Sequence, residues 1–159
     1  MRIVIGADHG GFRLKESLVK FLKSKGHTVK DAGTFSEESC DYPAIGYEVA
    51  KLVAAKAYPR GVLICKTGIG MSMVANKVKG VRAALCDKQA IACSSREHND
   101  SNILVLASNV VSSGEAKKIL GAWLTAKHLG GRHARRVRQI KEIESFEYEG
   151  VKKNRSRNS

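Results

Sequence analysis

The sequence predicts an α/β fold in which a parallel sheet is covered by helices on both faces. Three observations carry this. Short apolar runs alternate with amphipathic helical segments along the whole chain. Each run is followed by a turn signal before helical spacing begins, and the runs are nearly continuous in apolar residues, as strands buried on both faces must be. The chain of 159 residues suits one domain, and a domain of that size buries roughly 70% of its unfolded surface. That domain is expected over residues 1–149, with residues 150–159 a polar, basic tail that lacks periodicity and is expected to be disordered.

The elements follow in order. Ile3 to Ile5 reads as the first strand, and Leu14, Leu18, Phe21 and Leu22 form one face of a helix ending near Gly26. Thr28 to Asp31 is short and polar, which suits an edge strand. A loop with Gly33 and Ser36 to Ser39 leads to Pro43, a good first helical residue, and to an apolar face of Ile45, Val49, Leu52 and Val53. Val62 to Cys65 is the third strand. Its helix carries Ile69, Met73, Val74 and Val78, and the methionines there read as core filling. Val81 to Leu85 is the fourth strand, followed by a helix from about Lys88 to Arg96, and Ile103 to Leu106 is the fifth. Ala116, Ile119, Leu120, Trp123 and Leu124 mark a packed helix face, with Trp123 as packing. A last, basic helix from about His133 carries Val137, Ile140 and Ile143. Right-handed crossovers join such strands, and ligands bind beyond their carboxyl ends.

Composition narrows the function. No apolar run is long enough to span a membrane, and the N-terminal run stops at Asp8 without the shape of a signal peptide. The four cysteines, Cys40, Cys65, Cys86 and Cys93, form neither a C-x-x-C pair nor a zinc spacing, so a reduced cytoplasmic protein is expected. The net charge of +13 points to anionic partners. It gathers at Arg132, Arg135, Arg136 and Arg138, after Gly130 and Gly131, and again at Lys152, Lys153, Arg155 and Arg157.

The informative stretch is GVLICKTGIGMSMVANKVKGVRAA, from Gly61 to Ala84. It is a strand, a glycine turn and a helix start. Such a turn exposes backbone N–H groups and the positive end of a helix dipole, which favour an anion or oxyanion, and Cys65 stands where strand meets turn. On spacing alone this reads equally as core structure and as chemistry. Other polar residues gather around the strand ends: Asp8, His9, Gly10 and Gly11 after the first strand, Lys66 and Thr67 after the third, and His98, Asn99 and Asp100 before the fifth. Asp41 and Tyr42 precede the second helix and need not lie near the others. Their number favours a site.

The segments IGADHGGFRLK, EESCDYP, GVLICKTGIGMSMVANKVKGVRAAL, SREHNDSNIL and GGRHARRV together resemble the type B ribose-5-phosphate isomerases, a family that extends to the subunits of galactose-6-phosphate isomerase. The resemblance covers Ile3 to about Ile143. It implies a Rossmann-like three-layer α/β sandwich with a five-stranded parallel sheet and a C-terminal helix. It also implies an aldose–ketose isomerase that works through an enediolate without metal or organic cofactor.

By this resemblance Cys65 is the base, assisted by Thr67, while backbone N–H groups around Gly68, Gly70 and Met71 hold the enediolate. Such chemistry needs a base for proton transfer between adjacent carbons and preorganised donors for the charge that develops. His98 opens the sugar ring, Asp8 and Asn99 position hydroxyls, Tyr42 lines the site, and His9, Arg132 and Arg136 hold the phosphate. The planar fork of arginine suits that anion. The site is shared across a homodimer, with a tetramer left open. Two residues depart from the pattern. Lys66 stands where glycine is usual, and would add strain of about 1–3 kcal/mol if positive φ is needed there; Asn109 stands where many relatives carry an arginine that reaches the phosphate.

The expected substrate is ribose 5-phosphate, with a hexose 6-phosphate of the galactose or allose type as the alternative. Two readings of other kinds are a binder of sugar phosphates made inactive by Lys66 and a nucleic-acid-binding module using the basic end. The second lacks aromatic residues interleaved with the arginines, so nucleic acid is not the expected partner.

Overall fold

The computed structural model describes residues 1–155, with side chains through Phe146. Five strands, β1 (Arg2–Ala7), β2 (Thr28–Asp31), β3 (Arg60–Cys65), β4 (Ala83–Leu85) and β5 (Ile103–Ala107), form one sheet of order β2-β1-β3-β5-β4. Every pairing is parallel. Helices α1 (Phe12–Ser24), α2 (Tyr42–Ala54), α3 (Ile69–Ala75), α4 (Gln89–Asn99), α5 (Ser113–Thr125) and α6 (Arg132–Arg155) complete the chain. This is the expected α/β sandwich, with β2 at an edge.

Alternate strand residues face opposite sides of the sheet, and this divides the core. Ile3, Ile5, Val62, Ile64, Leu104 and Leu106 pack against α1, α4 and α5, where Leu18, Ala92, Leu120 and Trp123 are buried. Val4, Leu63, Cys65 and Val105 pack on the other face against Val49 and Val53 of α2 and Met71 and Ala75 of α3. The edge strand β4 is partly closed by a side chain: the Asn76 amide donates to the Ala83 carbonyl (3.0 Å) and accepts from the Ala83 N–H (2.9 Å), as a neighbouring strand would.

Several expectations need correction. Met73 is not core filling but 63% exposed, because α3 spans just seven residues. Met71 and Ala75, four apart, face inward, and Met73, about half a turn away, faces out. Ile140 and Ile143 are also exposed, and Val137 alone of that expected face is buried. β4 is shorter than its apolar run, since Val81 and Arg82 lie before it. α4, expected to end at about Arg96, continues to Asn99, so His98 and Asn99 sit in its last turn. α6 runs past residue 149 to Arg155, and residues 156–159 of the expected tail lie outside the described ones. Among the described residues no helix is long and apolar enough to cross a membrane.

Candidate active site

The carboxyl ends of β1 and β3 lie side by side, with Ala7 paired to Ile64. Asp8, the next residue, donates its N–H to the Ile64 carbonyl (3.2 Å), and its Oδ1 accepts the Gly11 N–H (3.0 Å). The His9 Nδ1 accepts the Cys40 N–H (3.2 Å), which draws the segment before α2 onto this turn and leaves Nε2 to carry the ring proton. That brings Tyr42 in. Its ring covers Gly70 so closely that a methyl group there would lie 2.5 Å from Cζ.

Cys65 ends β3 and is 5% exposed. Its Sγ accepts the N–H of Gly68 (3.1 Å), a residue whose φ of 73° turns the chain back over the sulfur. Thr67 Oγ1 accepts the Ile69 N–H (3.4 Å). The first-turn amides of Gly70 and Met71 have no acceptor within α3, while the Met71 side chain fills the core. Lys66 is not among the residues with positive φ, so the strain envisaged for a lysine there is absent. Cys86, which follows β4, is a different kind of thiol: burial pushes it up to about 11.

Ser108 was not legible as a site residue in the sequence. Its N–H donates to the Cys65 carbonyl (2.9 Å) and its Oγ to the Gly10 carbonyl (2.8 Å), so it clamps the β1 turn to the end of β3. Asn109 follows, donating its N–H to the Lys66 carbonyl (3.1 Å).

His98, Asn99, Arg132 and Arg136 lie elsewhere. The turn after α4 is held by residues just before β4 and β5: Arg82 Nε donates to the Asn99 carbonyl (3.0 Å), and Arg82 Nη2 (2.8 Å) and Arg96 Nη1 (2.7 Å) share the Asp100 carboxylate. Ser101 Oγ meets Ser95 Oγ at 2.9 Å and accepts the Trp123 Nε1–H (2.8 Å), so Trp123 holds this turn as well as packing. The strands are parallel and these residues precede two of them, which puts the group at the amino edge of the sheet. Cys65 stands at the carboxyl edge, about 15 Å or more away along β3.

α6 starts at this amino edge. The His133 ring stacks on His98, and Arg132 and Arg136 flank it in sequence, one turn apart. Partial desolvation, with the charges of His98, Arg132, Arg136 and His128, pulls His133 below its ordinary pKa. Burial opposes the Asp100 charge, but the hydrogen bond from Arg96 and the charges of Arg82 and Arg96 outweigh it and hold that carboxyl below the usual range. Among the described residues, no group of three or more His, Cys, Asp or Glu is placed to hold a metal ion.

One chain therefore carries two separate clusters of the candidate residues: Asp8, Tyr42, Cys65 and Thr67 at one edge of its sheet, and a histidine–arginine cluster at the other. Residues 3–140 match the family model described as Ribose/Galactose Isomerase. The chain belongs to the ribose/galactose isomerase family. It is 46% identical over 143 residues to ribose-5-phosphate isomerase B of Escherichia coli K12, an alignment covering 90% of this chain and 96% of that one. Its structure is similar to that of the ribose-5-phosphate isomerase B of Clostridium thermocellum, with a TM-score of 0.90 at 50% identity over 91% of this chain and 98% of the other. It is also similar to the Mycoplasma genitalium enzyme solved with bound ribulose-5-phosphate (TM-score 0.87, 40% identity, 91% and 96% covered). In this member of the ribose/galactose isomerase family the motifs of the sequence divide between the two edges: the Asp8, Tyr42 and Cys65 segments at one, the His98 and Arg132 segments at the other.

Proposed function

We propose that this chain is a ribose-5-phosphate isomerase that interconverts ribose 5-phosphate and ribulose 5-phosphate without a metal. The observation that carries the reading is the buried Cys65 Sγ accepting the Gly68 N–H at the end of β3, next to the turn that carries the buried Asp8. A buried sulfur acting as acceptor is in the role a base needs. In the aldose-to-ketose direction Cys65 takes the proton from C2. The C–H electron pair forms the C1–C2 double bond of the enediolate, and charge moves onto O1. The amides of Gly70 and Met71 suit that oxygen, because they are fixed in place before charge develops. The ketose forms when Cys65 returns its proton to C1 and the O2 proton passes to O1, with Thr67 assisting beside the sulfur.

In this reading a second copy of the chain completes the site. Its His98 opens the sugar ring, its Asn99 joins Asp8 on the hydroxyls, and its Arg132 and Arg136 take the phosphate with His9; Tyr42 closes the pocket over Gly70. The separation of the two clusters supports this, since one subunit does not bring its own His98 to its own Cys65. A cytoplasmic setting suits the four free thiols.

The test is the rate of ribulose 5-phosphate formation from ribose 5-phosphate, with EDTA present, for the parent and Cys65→Ala. The expected result is an active parent and a variant slower by about a hundredfold or more, the contribution of a positioned base. An inactive parent overturns the isomerase reading; an active variant removes Cys65 from the role of base.

A further inference from the structure

Lys66 directly follows Cys65, yet its side chain is drawn toward the neighbouring strand. It runs across Gly10: Cε and Cδ lie 3.0 and 3.2 Å from where a methyl group on Gly10 would sit, and such a group would collide with the lysine stem. The ammonium, one bond beyond Cε, thus stands beside the Asp8–Gly11 turn. Among the described residues no carboxylate pairs with it, whereas the neighbouring Arg13 is engaged by Glu37.

Its surroundings suit an anion. His9, on the same turn, has Nδ1 committed to the Cys40 N–H, so its Nε2–H remains a donor. A cleft of about 370 Å³ opens between Gly10, Arg13, Ser108, Asn109 and Ser113. A sugar phosphate seated with its reacting carbons at Cys65 brings a dianion toward the turn that also carries the Asp8 carboxylate, which is 7% exposed. Like charges so close disfavour binding unless a cation stands between or beside them.

We propose that Lys66 is a substrate-binding residue whose ammonium holds the phosphate of the sugar phosphate from the same chain that supplies Cys65. The proposal rests on the isomerase reading and deepens it. Arg132 and Arg136 reach the phosphate from the second copy, and Lys66 with His9 faces it from the first, so the anion is gripped from both subunits. With no side chain at Gly10, the lysine stem can lie across that backbone.

The experiment compares the parent, Lys66→Met and Lys66→Arg, first by calorimetric titration with inorganic phosphate and then by kinetics with ribose 5-phosphate. Methionine keeps most of the stem on Gly10 and removes the charge, and circular dichroism checks that the fold is kept. Lys66→Met is expected to weaken phosphate binding about ten- to a hundredfold and to raise KM in parallel, as loss of one charge-assisted contact does. Lys66→Arg should restore most of both. The difference should shrink as salt is added. Phosphate binding unchanged in Lys66→Met overturns the proposal, as does a loss confined to kcat, which would put the cation at the enediolate instead. A parent that binds no phosphate also overturns it. A parent inactive on ribose 5-phosphate that still binds phosphate through Lys66 sinks the isomerase reading and leaves this one standing.

Discussion

The imidazole rings of His98 and His133 lie face to face, 4.2 Å between centroids and 8° from parallel. The contact joins the last turn of α4 to the first turn of α6, so the histidine expected to open the sugar ring is held against the helix start that carries the arginines expected to hold its phosphate. Desolvation and the neighbouring positive charges favour the neutral ring of His133. Its folded pKa is lowered, so the unfolded chain binds the proton more readily, and stability falls as pH drops from about 6.5 toward the folded value. The thermal midpoint of the parent is expected to decline between pH 7 and pH 5.5, and that of His133→Asn to decline less. Equal slopes would show that the stack does not titrate.

Asp100 adopts a left-handed conformation, with φ of 48°, and receives Arg82 and Arg96 on its carboxylate. Asn tolerates that conformation, so Asp100→Asn isolates the charge. Removing it leaves two guanidinium groups side by side at the turn bearing His98 and Asn99. The expected cost is about 1–3 kcal/mol, at the modest end because the carboxylate is partly exposed. A carboxyl held below its ordinary range contributes stability above its unfolded pKa and loses it as pH falls through the folded value. Acid unfolding below pH 4 should therefore be steeper in the parent than in the variant.

Gly70→Ala places a methyl group 2.5 Å from Cζ and 2.8 Å from Oη of Tyr42, so the ring must leave its position. A fall of about tenfold or more in kcat/KM is expected, because small displacements of a positioned group are expensive in rate. The pairing is tested by a double-mutant cycle. If Tyr42 closes the pocket over Gly70, Gly70→Ala should do little further harm in a Tyr42→Ala background. Additive losses would mean that the methyl group acts elsewhere.

Mixing two inactive variants tests the two-copy site. Cys65→Ala spoils the carboxyl-edge half and His98→Asn the amino-edge half. After unfolding and refolding together, half of the dimers should be mixed, each with one intact site and one doubly damaged site. About a quarter of the parental activity should return if the halves come from different subunits of a symmetric dimer. No recovery would overturn the site shared between two copies.

Much was legible in the sequence because it depends on local spacing. Alternating strand and helix periods mark the α/β class, Pro43 marks the start of α2, and the short polar run of Thr28 to Asp31 lies at the sheet edge. The turn at Cys65, Thr67 and Gly68 was readable too, since turn and helix start are contiguous in the chain. Met73 was misread because an apolar residue in a seven-residue helix has too few neighbours to show which side is inward. Ser108 and Arg82 carried no signal, as hydroxyls and guanidiniums at strand ends are common and their partners lie far away in the chain.

The sequence by itself thus determined the class of fold, the strand–turn–helix around Cys65 and the family motifs. The tertiary structure decided how those motifs are distributed. His98 precedes β5, and its nearness to a strand said nothing about which end of the sheet it occupies until chain direction and strand pairing were known. Parallel pairing puts every strand start at one edge and every strand end at the other, so Cys65 and His98 were separated by topology. The same pairing set β1 beside β3, and so laid the side chain of Lys66 across Gly10.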